Sequence, residues 1–483
     1  MHRREFLGVT AAGLAGKGAV QAPPNIVFIL TDDLGYGDIA CQNPESKIPT
    51  PNLDRLAGQG VRFTDAHSPS AVCTPTRYGV LTGRYSWRSR LKSGVLEGYS
   101  PNLIEPGRPT VASVLKSRGY YTGGIGKWHL GLGDREKTDF TRPLRPGPVD
   151  HGFDYYFGIP ASLDMPPYLY LENERVVEQP TSTTPGKQES GVFWRGGPVA
   201  PSFQFDQVLS TLTGKAVRFL RDRAAKPAQP FFLYLPLTGP HTPWVPRKEF
   251  LGRSKAGIYG DFVCEVDWAA GEILNTLDQA GLSSNTLLIF TSDNGPERYA
   301  YERIPEFGHY SMGSLRGVKR DAWEGGHRVP FLARWPGTIR AGGTSSETIC
   351  LTDLMATAAA LSGAKLPDNG GEDSYNIAPA LLGEKRPAPI REATVSHTAN
   401  GEFAIRQGEW VFIDAPTGMN TKEPEWFRKQ RGYTLHSLAG ELYNLTQDPA
   451  ERKNLYADRP DVVGKLKALL ERYKREGRSV PRA

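Results

Sequence analysis

The chain has 483 residues, 39% apolar and 23% charged, ordinary values for a globular protein with a sizeable core. Its net charge of +6 is spread over the length, with no run of Lys or Arg longer than a few residues. That balance mildly favours anionic ligands and argues against nucleic acid, whose reading motifs are absent from the sequence.

At the start, Arg3 and Arg4 precede a short apolar run from Phe6 to about Ala15, and a small-residue stretch ends at Ala22. This pattern predicts a twin-arginine export signal over residues 1–22, and with it a periplasmic or secreted protein handled by the twin-arginine machinery. No later stretch reaches 18 uninterrupted apolar residues, so no membrane span is expected in the mature chain.

Asn25–Leu30 (NIVFIL) reads as a buried strand that opens into a loop at Thr31, Asp32 and Asp33. Thr110–Arg118 reads as a helix and Tyr120–Ile125 as the next strand. Phe205–Ala224 has helical periodicity and leads through Pro227 and Pro230 into the strand Phe231–Leu237. The alternation repeats with the helix Asp261–Ala280 and the strand Thr286–Thr291, then Val329–Trp335 and the helix Leu351–Ser362. Strands alternating with helices of this length predict a layered α/β sheet with helices on both faces.

Three long stretches, Thr138–Pro167, Thr181–Pro201 and Glu297–Arg328, read as irregular, and loops of that length are usually functional. Beyond about Leu366 come short strand-like runs at Phe403–Arg406 and Trp410–Ile413 and an amphipathic helix near Val462–Arg475, stopped by Gly477. The expected organisation is a signal at 1–22, a catalytic domain at 23–370 and a smaller α+β domain at 371–483.

The four cysteines, Cys41, Cys73, Cys264 and Cys350, form no CxxC pair, so neither a zinc knuckle nor a disulfide scaffold is indicated. An oxidising destination permits one bridge, but the sequence selects no pair. Cys73 differs from the others in its neighbours. Cys73, Pro75, Arg77, Thr82 and Gly83 fit C-x-P-x-R-x(4)-T-G, and Gly119, Tyr120, Thr122, Gly126, Lys127 and His129 fit G-Y-x-T-x(3)-G-K-x-H.

These two matches, in this order, resemble the type I sulfatase family, arylsulfatase-like enzymes of the alkaline-phosphatase superfamily. The resemblance implies a large mixed sheet between helices and a smaller C-terminal domain. It also implies that Cys73 is oxidised to formylglycine by a maturation enzyme. Sulfate esters carry spread negative charge, so a nucleophile approaching sulfur needs a cation and basic side chains around it. An aldehyde at position 73 would hydrate to a geminal diol. One hydroxyl attacks sulfur, and the second allows collapse to the aldehyde with loss of sulfate. Arg77, four residues on, would sit beside that group if the segment is helical, and its fork of donors suits an oxyanion.

Asp32 and Asp33 end the first strand, and Asp293, Asn294 and Gly295 end another. Three carboxylates and an amide make a hard oxygen set that suits Ca²⁺ or Mg²⁺ rather than zinc. In the family these positions bind calcium, so the resemblance assigns Asp32, Asp33, Asp293 and Asn294 to the metal, with Cys73 completing the shell. It assigns Lys127 and Lys319 to the sulfate oxygens, His129 to the hydrate and His241 to protonation of the leaving oxygen. Val318 departs from the family, where a second glycine often follows Gly317, and this puts the reach of Lys319 in question.

Ser162 is expected in the pocket wall, along with His151, Asp154 and Asp164, while Arg298 and His309 are candidates for reading the alcohol part of the substrate. Trp194, Trp244 and Pro166–Tyr170 are candidate stacking surfaces for a sugar ring. The expected activity is hydrolysis of sulfate esters on a saccharide or glycan. The alternatives are a phosphodiesterase or phosphonate hydrolase of the same superfamily, or a non-catalytic binder of sulfated glycans. Because the twin-arginine route carries folded proteins, oxidation of Cys73 is expected in the cytoplasm before export.

Overall fold

A computed structural model describes residues 23–481, so the predicted signal over 1–22 lies outside the described residues. A ten-stranded sheet forms the centre of the molecule. Its five middle strands run parallel in the spatial order Thr286–Ser292, Asn25–Thr31, Phe231–Pro236, Tyr121–Lys127 and Tyr155–Ile159. Asn25–Thr31, Phe231–Pro236 and Thr286–Ser292 are buried at every position. Continuous apolar runs of this kind mark parallel strands covered on both faces. Phe331–Arg334 adds antiparallel beside Thr286–Ser292, and Leu171–Glu172 adds antiparallel at the other end. The sheet is therefore mixed, as the resemblance implied.

Two helix layers cover it. One contains Pro51–Gly58, Val208–Ala224 and Gly257–Gln279, which pack on each other. The other groups Cys73–Thr82, Val111–Lys116 and Leu354–Ser362. Val208–Ala224 turns Leu209, Leu212, Ala216, Phe219 and Leu220 inward, the 3–4 spacing of an apolar stripe. Gly126 has φ +141°, and a Cβ there would lie 1.9 Å from the Pro236 carbonyl oxygen. That close approach seats Tyr121–Lys127 against Phe231–Pro236 and delivers Lys127 to the sheet's carboxyl edge.

Near the C-terminus, Thr394–His397, Phe403–Gln407, Trp410–Ile413 and Glu441–Asn444 form an antiparallel four-stranded sheet. The helix Pro460–Glu476 packs on it through Leu466, Leu469, Leu470 and Tyr473, and Gly477 ends the helix at φ +71°. Among the described residues, no helix is long and apolar enough to cross a membrane. All four cysteines are free.

The structure corrects the three irregular stretches. Thr138–Pro167 contains Tyr155–Ile159, a full member of the main sheet. Thr181–Pro201 is a hairpin of Ser182–Glu189 and Val192–Val199. Its strands have no fully buried position and carry Pro185, Gly186, Gly196 and Gly197, a composition that reads as loop. Glu297–Arg328 contains the helices Ala300–Phe307 and Glu324–His327.

Candidate active site

The carboxyl ends of the five parallel strands meet at one place, where open α/β sheets hold ligands. Asp32 and Asp33 follow Asn25–Thr31, and Asp293 and Asn294 follow Thr286–Ser292. Lys127 is the last residue of its strand, with His129 just beyond. Ser162 follows Tyr155–Ile159, and His241 follows Phe231–Pro236. Asp33 and His129 sit in the left-handed region, at φ 64° and 55°, a conformation non-glycine residues adopt only where their surroundings hold them.

Cys73 opens the helix Cys73–Thr82, and its Sγ lies 3.5 Å from Asp32 Oδ1. One turn later, Arg77 donates to Asp293 Oδ2 through Nε at 3.1 Å and Nη2 at 2.7 Å, and to the Lys127 carbonyl at 3.1 Å. Lys127 Nζ donates to Asp32 Oδ2 at 2.5 Å and to Ser162 Oγ at 2.6 Å. Lys319 Nζ donates to Asp33 at 2.8 Å, so Val318 does not keep this lysine from the site. Val318 itself packs with Tyr301, Ile304, Met312 and Phe427. His241 Nε2 lies 3.4 Å from Ser162 Oγ and 3.7 Å from Asp33 Oδ2.

The charges are strongly coupled. Burial opposes the charge on Asp32, but Lys127, His241, Arg77 and Lys319 together hold its carboxyl well below the usual range. Burial, reinforced by the neighbouring Asp32 charge, pushes Asp293 up to about 6. Burial and the cations Lys127 and Arg77 keep His129 far below its usual value, so its ring is neutral. The His129 Nε2 lies 2.7 Å from the Leu96 carbonyl and so carries the proton, leaving a lone pair on Nδ1. Nδ1 is buried and has no partner. Burial pushes the Cys73 thiol up, which makes it a poor nucleophile in unmodified form.

A divalent cation fits these residues. Asp32, Asp33, Cys73 and His241 present ligand atoms all within 4.8 Å of one another. Asn294 donates its amide nitrogen to Asp33 Oδ1 at 2.7 Å, while its buried Oδ1 accepts no hydrogen bond. An orphaned amide oxygen beside crowded carboxylates is what a hard cation would satisfy.

Part of the cluster opens on a pocket of about 830 Å³, within the usual range for small-ligand sites. Cys73, His129, Ser162, His241 and Lys319 line it, and Arg298 lies on its rim. His309 does not reach it. That ring is fully buried, with Nε2 2.8 Å from Asp38 Oδ1 and Nδ1 accepting from the Lys47 backbone, so the expectation for His309 is corrected to a packed, internally bonded residue. His151 likewise stacks on Trp128 and bonds Asn102, and Asp154 bonds Thr122 away from the pocket. Trp194 stacks on Phe205, and Trp244 packs against Tyr259 and Tyr299. Sequence reasoning missed Arg195, Glu297, Arg320 and Thr421, all of which line the pocket. Arg320 directly follows Lys319 and has φ 83°, but nothing in its sequence announces that conformation.

A large mixed sheet between helices, with cations and carboxylates gathered at its carboxyl edge, defines a hydrolase of anionic esters. The family model described as Sulfatase matches residues 24–364. N-acetylgalactosamine-6-O-sulfatase of Bacteroides thetaiotaomicron is 37% identical over 95% of this chain and 94% of its own length. Arylsulfatase A of Homo sapiens is 36% identical over 96% of this chain and 90% of its own length. A solved structure from work on glycosaminoglycan metabolism by B. thetaiotaomicron superposes with a TM-score of 0.82, at 36% identity, over 93% of this chain and 99% of that one. A sulfatase from Pseudoalteromonas sp. superposes with a TM-score of 0.74, at 26% identity, over 95% and 92%. The chain belongs to the sulfatase family. It is a sulfuric ester hydrolase.

Proposed function

We propose that the substrate is a sulfated saccharide, a 6-sulfated N-acetylhexosamine, as two relatives named N-acetylgalactosamine 6-sulfatases suggest. One observation carries the mechanistic reading: Cys73 lies at the pocket floor between a cluster of acidic strand ends and the cations Lys127 and Lys319.

Asp32, Asp33, Asp293 and Asn294 would hold calcium, which when bound supplies positive charge against the sulfate oxygens. Cys73 is read as the precursor of formylglycine, whose hydrate supplies a hydroxyl nucleophile and a second hydroxyl for release of sulfate. Lys127 and Lys319 contact the sulfate oxygens and neutralise charge that grows in the transition state. Arg77 pins Asp293 and the Lys127 carbonyl, and so fixes the strand ends to the helix that carries the nucleophile. The neutral His129, with a free lone pair on Nδ1, accepts a proton from the hydrate. His241, next to Ser162 at the pocket wall, donates a proton to the leaving oxygen. Ser162 orients Lys127, and Arg298 contacts the saccharide at the rim.

Oxidation of Cys73 requires a maturation enzyme acting on the unfolded segment, since Cys73 is only 2% exposed in the folded chain. Arg3, Arg4 and the small-residue stretch to Ala22 support twin-arginine export to the periplasm or beyond. Incubation of the matured protein with N-acetylgalactosamine 6-sulfate, with released sulfate measured by ion chromatography, tests the reading. Sulfate release that fails after Cys73→Ala supports it. Absence of release from every sulfated hexosamine in a panel contradicts the substrate assignment.

A further inference from the structure

Beside His241, the pocket wall carries a carboxylate that the chemistry of sulfate release leaves unused. Asp164 is 5% exposed and follows Ser162 by two residues. Its Oδ2 accepts from Arg195 Nη1 at 2.6 Å, while its Oδ1 is buried without a hydrogen-bond partner. His241 does not satisfy that oxygen, because its Nδ1 lies 4.0 Å away and instead meets the Thr242 carbonyl at 2.6 Å. A buried carboxylate oxygen left unpaired is costly, and because Asp164 lines the pocket, a bound ligand could bring the donor that the protein lacks.

The pair is held rigidly. The Arg195 backbone N–H donates to the Asp164 carbonyl at 3.0 Å, and Tyr168 Oη donates to the carbonyls of both residues, at 3.0 Å and 2.6 Å. Arg195 stands on the hairpin strand Val192–Val199, with its side chain 40% exposed toward the pocket mouth. A carboxylate acceptor next to a guanidinium donor is complementary to one hydroxyl group, which donates to the first and accepts from the second.

We infer that Asp164 and Arg195 bind a ring hydroxyl of the sulfated sugar and so decide which epimer is cleaved. This rests on the saccharide reading above. Because Asp164 adjoins His241, which faces the leaving oxygen, the hydroxyl lies close to the sulfated carbon. On a hexosamine sulfated at C6, that hydroxyl is the one at C4, whose direction distinguishes the galacto from the gluco configuration.

The test compares kcat/KM for N-acetylgalactosamine 6-sulfate, N-acetylglucosamine 6-sulfate and 4-nitrophenyl sulfate in the parent, Asp164→Asn and Arg195→Gln. The parent should prefer one epimer by at least about tenfold, and Asp164→Asn should lose about 10–100-fold on that epimer, as expected for a hydrogen bond to a charged group. Its loss on the aryl sulfate, which has no ring hydroxyl, should be at least about tenfold smaller. Arg195→Gln, a change on a half-exposed hairpin, should shrink the epimer ratio in the same direction. Equal losses on all three esters would place Asp164 behind His241 and overturn the inference. So would an epimer ratio that neither variant changes, or a parent that cleaves both epimers equally. A parent that cleaves the aryl ester and neither sugar overturns the saccharide reading, and this inference with it.

Discussion

Arg77 lays Nε and Nη2 on a single carboxylate oxygen of Asp293, at 3.1 and 2.7 Å, with both side chains fully buried. The guanidinium also lies 3.5 Å from Asp32 Oδ2, so it ties two strand ends to the helix that begins at Cys73. Breaking a buried pair strands the remaining charge. Arg77→Met is expected to lower unfolding stability by about 3–5 kcal/mol in chelator-treated protein, measured by urea denaturation. An unchanged midpoint would mean that this pair is not the support described.

The orphaned Asn294 oxygen predicts linkage between calcium and stability. A ligand that binds only the folded state adds about 2.7 kcal/mol at a hundredfold excess over its Kd. Calcium should therefore raise the Tm of chelator-treated protein in proportion to the logarithm of its concentration. Asn294→Ala should shift that dependence to higher calcium. A Tm that does not respond to calcium would remove the cation from the account.

Protonation of the leaving oxygen matters most when that oxygen is a poor leaving group. His241→Gln should therefore cost about 10²–10⁴ in kcat on a sugar sulfate. The cost on 4-nitrophenyl sulfate, whose phenolate leaves unaided, should be much smaller. Equal losses would show that His241 acts on binding or on the fold.

Burial holds His151, His327 and His397 at about 4, below their ordinary 6.5. A histidine depressed in the folded state binds its proton more readily in the unfolded chain. Protonation therefore favours unfolding: stability is full above pH 6.5 and is lost progressively as pH falls from 6.5 to 4. Each such group accounts for up to about 3 kcal/mol across that window. The Tm difference between the parent and His397→Gln should narrow as pH falls from 6.5 to 4. A constant difference would contradict the assignment.

Much of this was legible in the sequence where a residue's signal is local. NIVFIL, FFLYLP and TLLIFTS read as buried strands because both faces are covered, and the acidic pairs at their ends follow directly. Cys73 and Lys127 stood out because fixed spacing in two long motifs is specific. What escaped depends on tertiary partners. Tyr155–Ile159 is short and follows a glycine- and proline-rich stretch, so only its pairing with Tyr121–Lys127 makes it a strand. The hairpin that carries Arg195 has no fully buried position to impose a pattern, and the sequence around His309 does not reveal the bond to Asp38 that holds its ring inside. The pocket wall is built by residues that the chain brings together from far apart, and no spacing records that.

The central claim concerns the atom at position 73. The tryptic peptide Phe63–Arg77 should be purified from active protein made alongside a formylglycine-generating enzyme, and its mass measured. The account predicts a peptide that has lost one sulfur and two hydrogens and gained one oxygen, in a fraction that tracks specific activity. Fully active protein whose Phe63–Arg77 peptide keeps its sulfur would contradict it.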